Sequence, residues 1–274
     1  MARVVLVTGS TDGIGRQVAR QLAAGGMTVI VHGRSKPKVE ATLEQLQGEL
    51  PGATLHGVAF DLGTLAAVRT GAAQVLALAP ELHVLVNNAG VFANERVVTR
   101  DGVELSFAVN YLSAFLLTEL LAPRLIASAA AAGVPSRVID VSSVAHTRGR
   151  IHDDDLTMRT AYTGYAAYAQ SKLAMVMHAL ELAERRDPQQ LVAYSVHPGV
   201  IATKLLREGF GPVQGAPVER GAAAIVRLAG GETTDAPSGS YFSDGVMTPP
   251  SHAARDAAVR RRLWDASVGL APAE

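Results

Sequence analysis

The stretch "RVVLVTGSTDGIGR", residues 3–16, joins an apolar run to three closely spaced glycines. The run is rich in valine, as buried strands are, and the residues after Gly13 follow a helical pattern. A strand, a tight glycine turn and a helix N-terminus together form a phosphate site, because backbone N–H groups point outward and no Cβ atom blocks the approach. The spacing of Gly9, Gly13 and Gly15 is not the common G-x-G-x-x-G, so the flanking strand and helix are what support this interpretation.

The alternation of strand and helix continues along the chain. Seven short runs rich in Val, Ile and Leu predict strands at 3–9, 27–33, 54–60, 82–88, 137–143, 191–197 and 239–245. Amphipathic segments separate them, at 13–25, 36–49, 64–79, 102–127, 162–186 and 218–229. Nearly continuous apolar runs are typical of parallel strands buried on both faces. With no repeat and no flexible linker, the pattern predicts one α/β domain over residues 1–274, a doubly wound parallel sheet with helices on both faces.

Composition narrows the classes of partner. The chain has 274 residues with 25 basic and 25 acidic side chains, so no overall positive field attracts nucleic acid or anionic lipid. There is no cysteine, which excludes disulfides and thiolate chemistry. No signal peptide is recognisable, and no window reaches the roughly 18 apolar residues needed to span a bilayer. We therefore expect a cytoplasmic protein without a membrane anchor and without a nucleic-acid partner.

The end of the second predicted strand indicates which dinucleotide binds. An NAD site usually places an acidic residue there, which binds the ribose 2′-hydroxyl. This chain has "HGRS" at 32–35, and Arg34 can pair with a 2′-phosphate instead. We expect NADP(H) to be preferred over NAD(H). The alternative is that Arg34 is an ordinary surface residue at a turn.

The segment "AYAQSKLA", residues 167–174, places Tyr168 and Lys172 one helical turn apart on one face. Reduction of a ketone by hydride transfer needs a proton for the developing alkoxide, and a tyrosine can supply it. A nearby ammonium group favours the phenolate and lowers the tyrosine pKa from its ordinary value of about 10. Taken alone, such a pair is more often a solvated helix face. The nucleotide-binding signature upstream favours the catalytic interpretation.

Six motifs in order give the sequence a resemblance to a known family. They are "TGSTDGIG" (8–15), "NNAG" (87–90), Asn110 in "FAVNYLSAF", "VSS" (141–143), "YAQSK" (168–172) and "HPGVIAT" (197–203). Together they resemble the short-chain dehydrogenase/reductase family over nearly the whole chain. "VSSVAH", "GSYFSDG" and "LWDAS" are similar to its retinol-dehydrogenase-like branch. The resemblance implies a single-domain Rossmann-type fold and an enzyme that acts on CH–OH groups with NAD(P).

The resemblance also implies roles for matching residues. Tyr168 would be the general acid/base, Lys172 its partner, Ser143 a ligand of the substrate oxygen, and Asn110 the holder of a water beside Lys172. Asn87 would line the cofactor, Asp61 would contact the adenine and Thr203 would hold the nicotinamide carboxamide. The full predicted set of cofactor contacts is Gly9, Ser10, Thr11, Asp12, Gly13, Ile14, Gly15, Arg34, Asp61, Leu62, Asn88, Ala89, Gly90, Tyr168, Lys172, Pro198, Gly199, Val200 and Thr203.

Two irregular segments, about 143–161 and 199–217, follow predicted strands at the edge where open α/β sheets bind ligands. We expect them to be substrate loops. The first is longer than in many family members and could wall the pocket or obstruct a helix-mediated dimer, so a homodimer and a monomer both stay open. The consecutive acids of "HDDD" (152–155) and the basic run "RRR" (260–262) are interpreted as solvated surface, and no metal site is expected.

The leading hypothesis is an NADP(H)-dependent oxidoreductase that interconverts the carbonyl and the alcohol of a hydrophobic small molecule. Apolar residues in the second loop (Leu205, Leu206, Phe210) and after "NNAG" (Val91, Phe92) favour such a substrate. One alternative is a non-catalytic NADP-binding sensor or scaffold, which retention of Tyr168 and Lys172 disfavours. Another is lyase or epimerase chemistry on the same fold, which the glycine spacing and modest length disfavour. Retinoids, steroids, aryl ketones and a specialised biosynthetic intermediate all stay open as substrates.

Overall fold

A computed structural model describes residues 2–231 and 236–273 of the chain. Its centre is an eight-stranded sheet in the order β3-β2-β1-β4-β5-β6-β7-β8. The strands are β1 Val4–Val7, β2 Thr28–Gly33, β3 Leu55–Ala59, β4 Val84–Asn87, β5 Ser136–Val141, β6 Leu191–His197, β7 Tyr241–Ser243 and β8 Val246–Met247. All neighbours are parallel except β7 and β8. The strand order reverses between β1 and β4, which is where doubly wound sheets open a crevice for ligands.

Helices cover both faces of the sheet. They are α1 Gly13–Ala24, α2 Lys36–Glu49, α3 Leu65–Leu78, α4 Leu105–Phe107, α5 Ser113–Ala132, α6 Gly164–Arg185, α7 Lys204–Phe210, α8 Val218–Gly230 and α9 Ala257–Leu270. A π-helical turn, Ala108–Leu112, joins α4 to α5, and short 3₁₀ helices span Val144–Arg148 and Ala253–Arg255. The predicted doubly wound α/β fold is thereby confirmed.

Alternating residues of the central strands pack into two separate hydrophobic cores, one on each face of the sheet. Leu6 and Ile30 pack with residues of α3, α5, α6 and α9, whereas Val5, Val7 and Val29 pack with residues of α1, α2 and α8. Both sides of the central strands are therefore apolar, because side chains of a strand point alternately to its two faces. This explains the continuous hydrophobic runs from which parallel strands were predicted.

One helical stretch of the described chain, Leu105–Ala132, is long and apolar enough by length and composition to cross a membrane. This corrects the expectation that no window is apolar enough. The most apolar part of the stretch is 83% buried inside the protein. Burial against the sheet accounts for its composition, as in the core helices of large domains.

Three details differ from the sequence predictions. The segment 199–217 contains α7, capped at its start by the Thr203 side chain, which accepts from the N–H of Leu206. A short antiparallel strand, β8, follows the last predicted strand. The basic run 260–262 is not wholly solvated, because Arg260 is buried and pairs with Glu181 and Glu184. A buried guanidinium needs such partners to offset its desolvation.

Candidate functional site

The glycine turn between β1 and α1 is a backbone surface packed against the loop after β4. Gly9 has a φ of +63°, which favours glycine, and a Cβ there would lie 2.9 Å from the Cα of Ala89. A Cβ on Gly15 would overlap the Asn88 side-chain amide and the carbonyl of Gly9. The predicted cofactor residues Gly9, Gly15, Asn88 and Ala89 therefore lie together, and substitution at either glycine would push the two loops apart.

Hydrogen bonds fix this arrangement. The Thr8 hydroxyl accepts from the N–H groups of Asn88 and Ala89 at 3.0 and 3.1 Å. The Asn88 amide donates in return to the carbonyls of Thr8 and Gly9, at 2.8 and 3.2 Å. Asp12 caps α1 by accepting from the N–H of Gly13 at 2.7 Å. The rest of the first helical turn supplies the free N–H groups that favour an anion.

His32 is a structural member of the turn that sequence reasoning missed. Its Nδ1 accepts from the N–H of Gly9 at 3.1 Å, so its Nε2 donates to the Phe60 carbonyl at 3.1 Å. Burial lowers the pKa of His32 to about 4, and the ring is neutral at physiological pH. Ser10 is wholly buried, and its hydroxyl donates to the Val7 carbonyl and accepts from the N–H of His32. Its role here is to hold the turn, and its predicted cofactor contact stays a prediction.

The ends of β2 and β3 carry Arg34, predicted to favour NADP over NAD, and Asp61, predicted to contact the adenine. Arg34 is exposed, and within residues 2–231 and 236–273 it makes no hydrogen bond or ion pair. A Cβ on Gly33 would lie 2.6 Å from the Thr11 methyl, so Thr11 and Arg34 border the same turn. Asp61 is exposed and accepts from the N–H of Gly63 at 2.9 Å. Leu62 is buried in the core and lines a small recess with Thr8, Asn87 and Ala89.

The loop after β6 closes the other side of the glycine turn. A Cβ on Gly13 would lie 3.6 Å from the Thr203 methyl, and Ile14 and Ile201 both approach Gly221 of α8. Pro198 is buried, while Gly199 and Val200 line a pocket of about 280 Å³ whose titratable members are His197, Arg220 and Asp244. Free backbone N–H groups, glycines without room for a Cβ and an unpaired Arg34 fit a phosphorylated dinucleotide.

Tyr168 lies in α6, beneath an aromatic cover. Its ring is 5.6 Å from the Phe92 ring and 5.5 Å from the ring of Phe210, which ends α7. The side chain is 5% exposed. Ser143, just after β5, hydrogen-bonds the Tyr168 hydroxyl.

Burial raises the pKa of Tyr168 to about 12, and the hydrogen bond from Ser143 lowers it by a smaller amount. The direction is the opposite of the one predicted from the spacing of Tyr168 and Lys172, since desolvation disfavours the phenolate more than its neighbours favour it. A phenol with this pKa is protonated at neutral pH. In this state Tyr168 is therefore arranged as a proton donor.

Lys172 lies below the tyrosine, with its Nζ 5.7 Å from the centre of the Tyr168 ring. The ammonium donates to the Val141 carbonyl at 2.8 Å. Burial lowers the pKa of Lys172 to about 8, while the Asp140 carboxylate raises it by a smaller amount. The structure thus brings Tyr168, Lys172 and Ser143 together, as predicted from two separate motifs.

Asn110 lies in the π-helical turn between α4 and α5, a feature that is frequent at functional sites. Its Oδ1 accepts from the N–H of Val91 at 2.7 Å, and its Nδ2 donates to the Val91 carbonyl and to the Ser171 hydroxyl. A Cβ on Gly90 would lie 3.4 Å from the Lys172 Nζ and 3.5 Å from the Asn110 Oδ1. The Asn110 side chain therefore fastens the loop after β4 to α6 beside Lys172, and its predicted water stays a prediction.

The segment 143–161 is fastened to α6 and to the loop after β4. Gln170 accepts from the N–H of His152 at 3.0 Å and donates to the Leu156 carbonyl at 3.0 Å. The Tyr162 hydroxyl donates to the Ala93 carbonyl at 2.8 Å. Asp153 pairs with Arg262 of α9. Over the part of the chain that the structure describes, no group of three or more His, Asp or Glu side chains is arranged to hold a metal.

Comparison with known proteins adds relatives to this geometry. The sequence model of short chain dehydrogenases matches residues 3–210. Mouse polyprenol dehydrogenase is 40% identical over 282 residues, which cover 98% of this chain and 83% of the mouse protein. Human retinol dehydrogenase 13 is 37% identical over 283 residues, which cover 98% of this chain and 84% of the human protein. The crystal structure of an uncharacterised protein from Mycobacterium paratuberculosis is similar with a TM-score of 0.81 and 32% identity, covering 98% of this chain and 93% of that one.

Proposed function

Since the chain belongs to the short chain dehydrogenase family, in its retinol-dehydrogenase-like branch, we propose that it is an NADP(H)-dependent enzyme for hydrophobic carbonyls and alcohols, with Tyr168 as its acid/base. Family membership makes it an oxidoreductase that acts on CH–OH groups with NAD(P). The finer proposal rests on one observation above all. Tyr168 is buried with Ser143 on its hydroxyl and Lys172 beneath its ring, at the same sheet edge as the glycine turn.

In this proposal the protein supplies position and a proton. The bound nicotinamide supplies or accepts the hydride. The Ser143 hydroxyl holds the substrate oxygen, and Tyr168 gives that oxygen a proton as the carbonyl becomes an alcohol. Because burial raises the pKa of Tyr168 to about 12, the protonated form that carbonyl reduction requires is abundant at neutral pH. The reverse reaction needs the phenolate and is expected to accelerate as the pH rises.

The residues that would hold the cofactor are those of the glycine turn and its neighbours. The N-terminus of α1 with Gly9, Gly13 and Gly15 would hold the pyrophosphate, and Asp61 with Leu62 would border the adenine. Arg34 would pair with the 2′-phosphate, which supports NADP(H) over NAD(H). Thr203 and the loop 198–200 would border the nicotinamide.

Apolar side chains support a hydrophobic substrate. Phe92 and Phe210 lie within 5.0 Å of each other and cover Tyr168, with Leu205 packed beside them. A substrate whose oxygen approaches Tyr168 would pack its apolar surface against Phe92, Phe210 and Leu205. Two relatives are named for retinol and polyprenol, so we propose apolar alcohols and aldehydes of isoprenoid type as the first substrates to test. A single catalytic domain and a cytoplasmic location remain part of the proposal.

The test is consumption of NADPH and NADH with a panel of isoprenoid aldehydes, aryl ketones and steroid ketones. We expect turnover with NADPH. Arg34→Leu is expected to raise the KM for NADPH about tenfold or more, with little change for NADH, because a charge-assisted phosphate contact is lost. Lys36→Leu is the matched control, since Lys36 is an exposed cation two residues away that pairs with Glu40. Preference for NADH, or equal effects of the two variants, would contradict the cofactor proposal.

A further inference from the structure

A second polar cluster lies behind the site, in the core between the sheet and α6. Asp140, at the end of β5, is completely buried. Its Oδ1 accepts from the Asn87 amide at 2.8 Å, and its Oδ2 lies 2.7 Å from the Nδ1 of His178, which is also completely buried. A carboxylate removed from water is costly unless it is hydrogen-bonded and its charge is compensated. Asp140 has the hydrogen bonds, so it also needs a nearby positive charge.

His178 does not supply that charge. Its Nε2 is buried and, among the described residues, has no hydrogen-bond partner. The ring is surrounded by the aromatic rings of Tyr111, Phe115 and Trp264. An imidazolium would leave an N–H donor unpaired in these apolar surroundings. His178 is therefore neutral, with its proton on Nδ1 and donated to Asp140, and the pair carries one negative charge.

Lys172 is a buried cation at the same end of β5. Its Nζ donates to the carbonyl of Val141, the residue after Asp140, and its own carbonyl accepts from the Ser142 hydroxyl at 2.7 Å. The side chain is 3% exposed. Asp140 acts against burial by raising the pKa of Lys172. The two charged side chains thus belong to one electrostatic unit that joins β5 to α6.

Other charged groups around the pair have their own partners. Glu181 of α6 is paired with Arg185 and Arg260, and Glu119 of α5 with Arg186. On β6, His197 faces Lys172, and burial lowers the pKa of His197, with Asp244 opposing that shift. Tyr111 faces Asp140, and burial raises the pKa of Tyr111. Both rings are neutral near pH 7, so neither compensates Asp140.

We propose that Asp140, held in place by Asn87 and neutral His178, is a positioning residue that keeps Lys172 positively charged beneath Tyr168. The inference rests on the proposed function for its catalytic meaning. The charge on Lys172, which the inference concerns directly, can be measured without enzymatic turnover. Without Asp140 the lysine would lose its proton near neutral pH, and the site would lose the positive charge that favours the phenolate.

The chain suits NMR, because it has only four lysines: Lys36, Lys38, Lys172 and Lys204. The other three are exposed. We would label the lysine ε-carbons of the full-length protein with ¹³C, titrate it without cofactor, and assign Lys172 by its loss in Lys172→Arg. The midpoint for Lys172 is expected near pH 8. Asp140→Asn, of nearly the same shape, is expected to move it by at least one pH unit, to about pH 7 or below.

His178→Asn is the matched control, since it retains a neutral hydrogen-bond donor near the position of Nδ1. It should leave the titration midpoint of Lys172 within about 0.3 pH units of its value in the unmodified protein. Asp140→Ser, smaller and neutral, replaces Asp140→Asn if the amide variant does not fold. An unchanged midpoint in the Asp140 variants would overturn the proposal. A rise in His178→Asn would show that His178 is charged and would also overturn it. A lysine that responds as expected in a protein that reduces no carbonyl would support this inference and count against the proposed function.

Discussion

At the glycine turn the backbone itself makes the binding surface, whereas around Tyr168 the surface is made by side chains from separate segments. Gly9, Gly15 and Asn88 are fixed by close contacts and by hydrogen bonds from the Asn88 side-chain amide to main-chain carbonyls. Tyr168 is instead covered by rings from the loop after β4 and from α7. Gly9 and Gly15 have no room for a Cβ atom, whereas the cover of Tyr168 can exchange one apolar group for another. We infer that the turn sets which cofactor class binds and the cover sets which substrate does.

The largest effect that tests this contrast is expected at the turn. Gly15→Ala places a methyl group against Asn88 and the Gly9 carbonyl. Overpacking against main-chain atoms separates the two loops, so we expect NADPH affinity to fall about a hundredfold or more and the protein to be destabilised by about 3 kcal/mol. Titration of cofactor fluorescence and chemical denaturation measure the two effects.

Gly48→Ala in α2 is the control for Gly15→Ala. No atom lies within 4 Å of a Cβ at Gly48, and alanine favours helix over glycine by roughly 0.5–1 kcal/mol. It should leave NADPH binding unchanged and stabilise the protein slightly. If Gly15→Ala bound NADPH normally, the turn would not be the rigid surface described here.

A second effect concerns how the stability that His32 gives the glycine turn depends on pH. Because burial lowers the pKa of His32 from 6.5 to about 4, the unfolded chain binds the proton first as the pH falls. Stability from the neutral ring is complete above pH 6.5 and is lost as the pH falls to about 4. The loss is up to about 3 kcal/mol in the free energy of unfolding.

His32→Asn, in which the amide oxygen can still accept from Gly9, should remove this part of the pH dependence. His56→Asn, on the neighbouring strand and less buried, should retain it. Urea unfolding at pH 7, 5.5 and 4 measures both. If the free energy of unfolding depended on pH equally in His32→Asn and in the unmodified protein, protonation of His32 would not be what destabilises the protein at low pH.

A smaller effect is expected at the cover. Phe210→Ala removes the ring that packs on Tyr168 and Phe92, so the loss of apolar contact should raise the KM for hydrophobic substrates about tenfold. Water admitted beside Tyr168 should also lower its pKa from about 12. The KM of Phe210→Leu should lie between those of the unmodified protein and Phe210→Ala. Val213→Ala, at an exposed position of the segment 199–217, should leave the KM unchanged. An unchanged KM in Phe210→Ala would mean that α7 does not contact the substrate.

The contrast between the glycine turn and the surroundings of Tyr168 explains which features the sequence could predict. The family, the sheet and the meeting of Tyr168, Lys172 and Ser143 were predicted, because strand periodicity and short motifs fix the carboxyl ends of parallel strands at one edge. The π-helical turn at Asn110, the burial of Arg260 and the role of His32 were not, since each depends on packing between distant segments. The raised pKa of Tyr168 was missed for the same reason. Helical spacing reveals its neighbour Lys172 and says nothing of the rings of Phe92 and Phe210 that remove water.

The proposed reaction depends most directly on Tyr168 as the proton donor. Tyr168→Phe removes one hydroxyl and keeps the ring that packs against Phe92 and Phe210. We would compare kcat for NADPH-dependent carbonyl reduction in this variant and in Tyr165→Phe, a tyrosine 41% exposed on the same helix. We expect kcat to fall about a hundredfold or more in Tyr168→Phe with NADPH affinity retained, and to change little in Tyr165→Phe. Reduction that proceeds in Tyr168→Phe within about threefold of the original rate would contradict it.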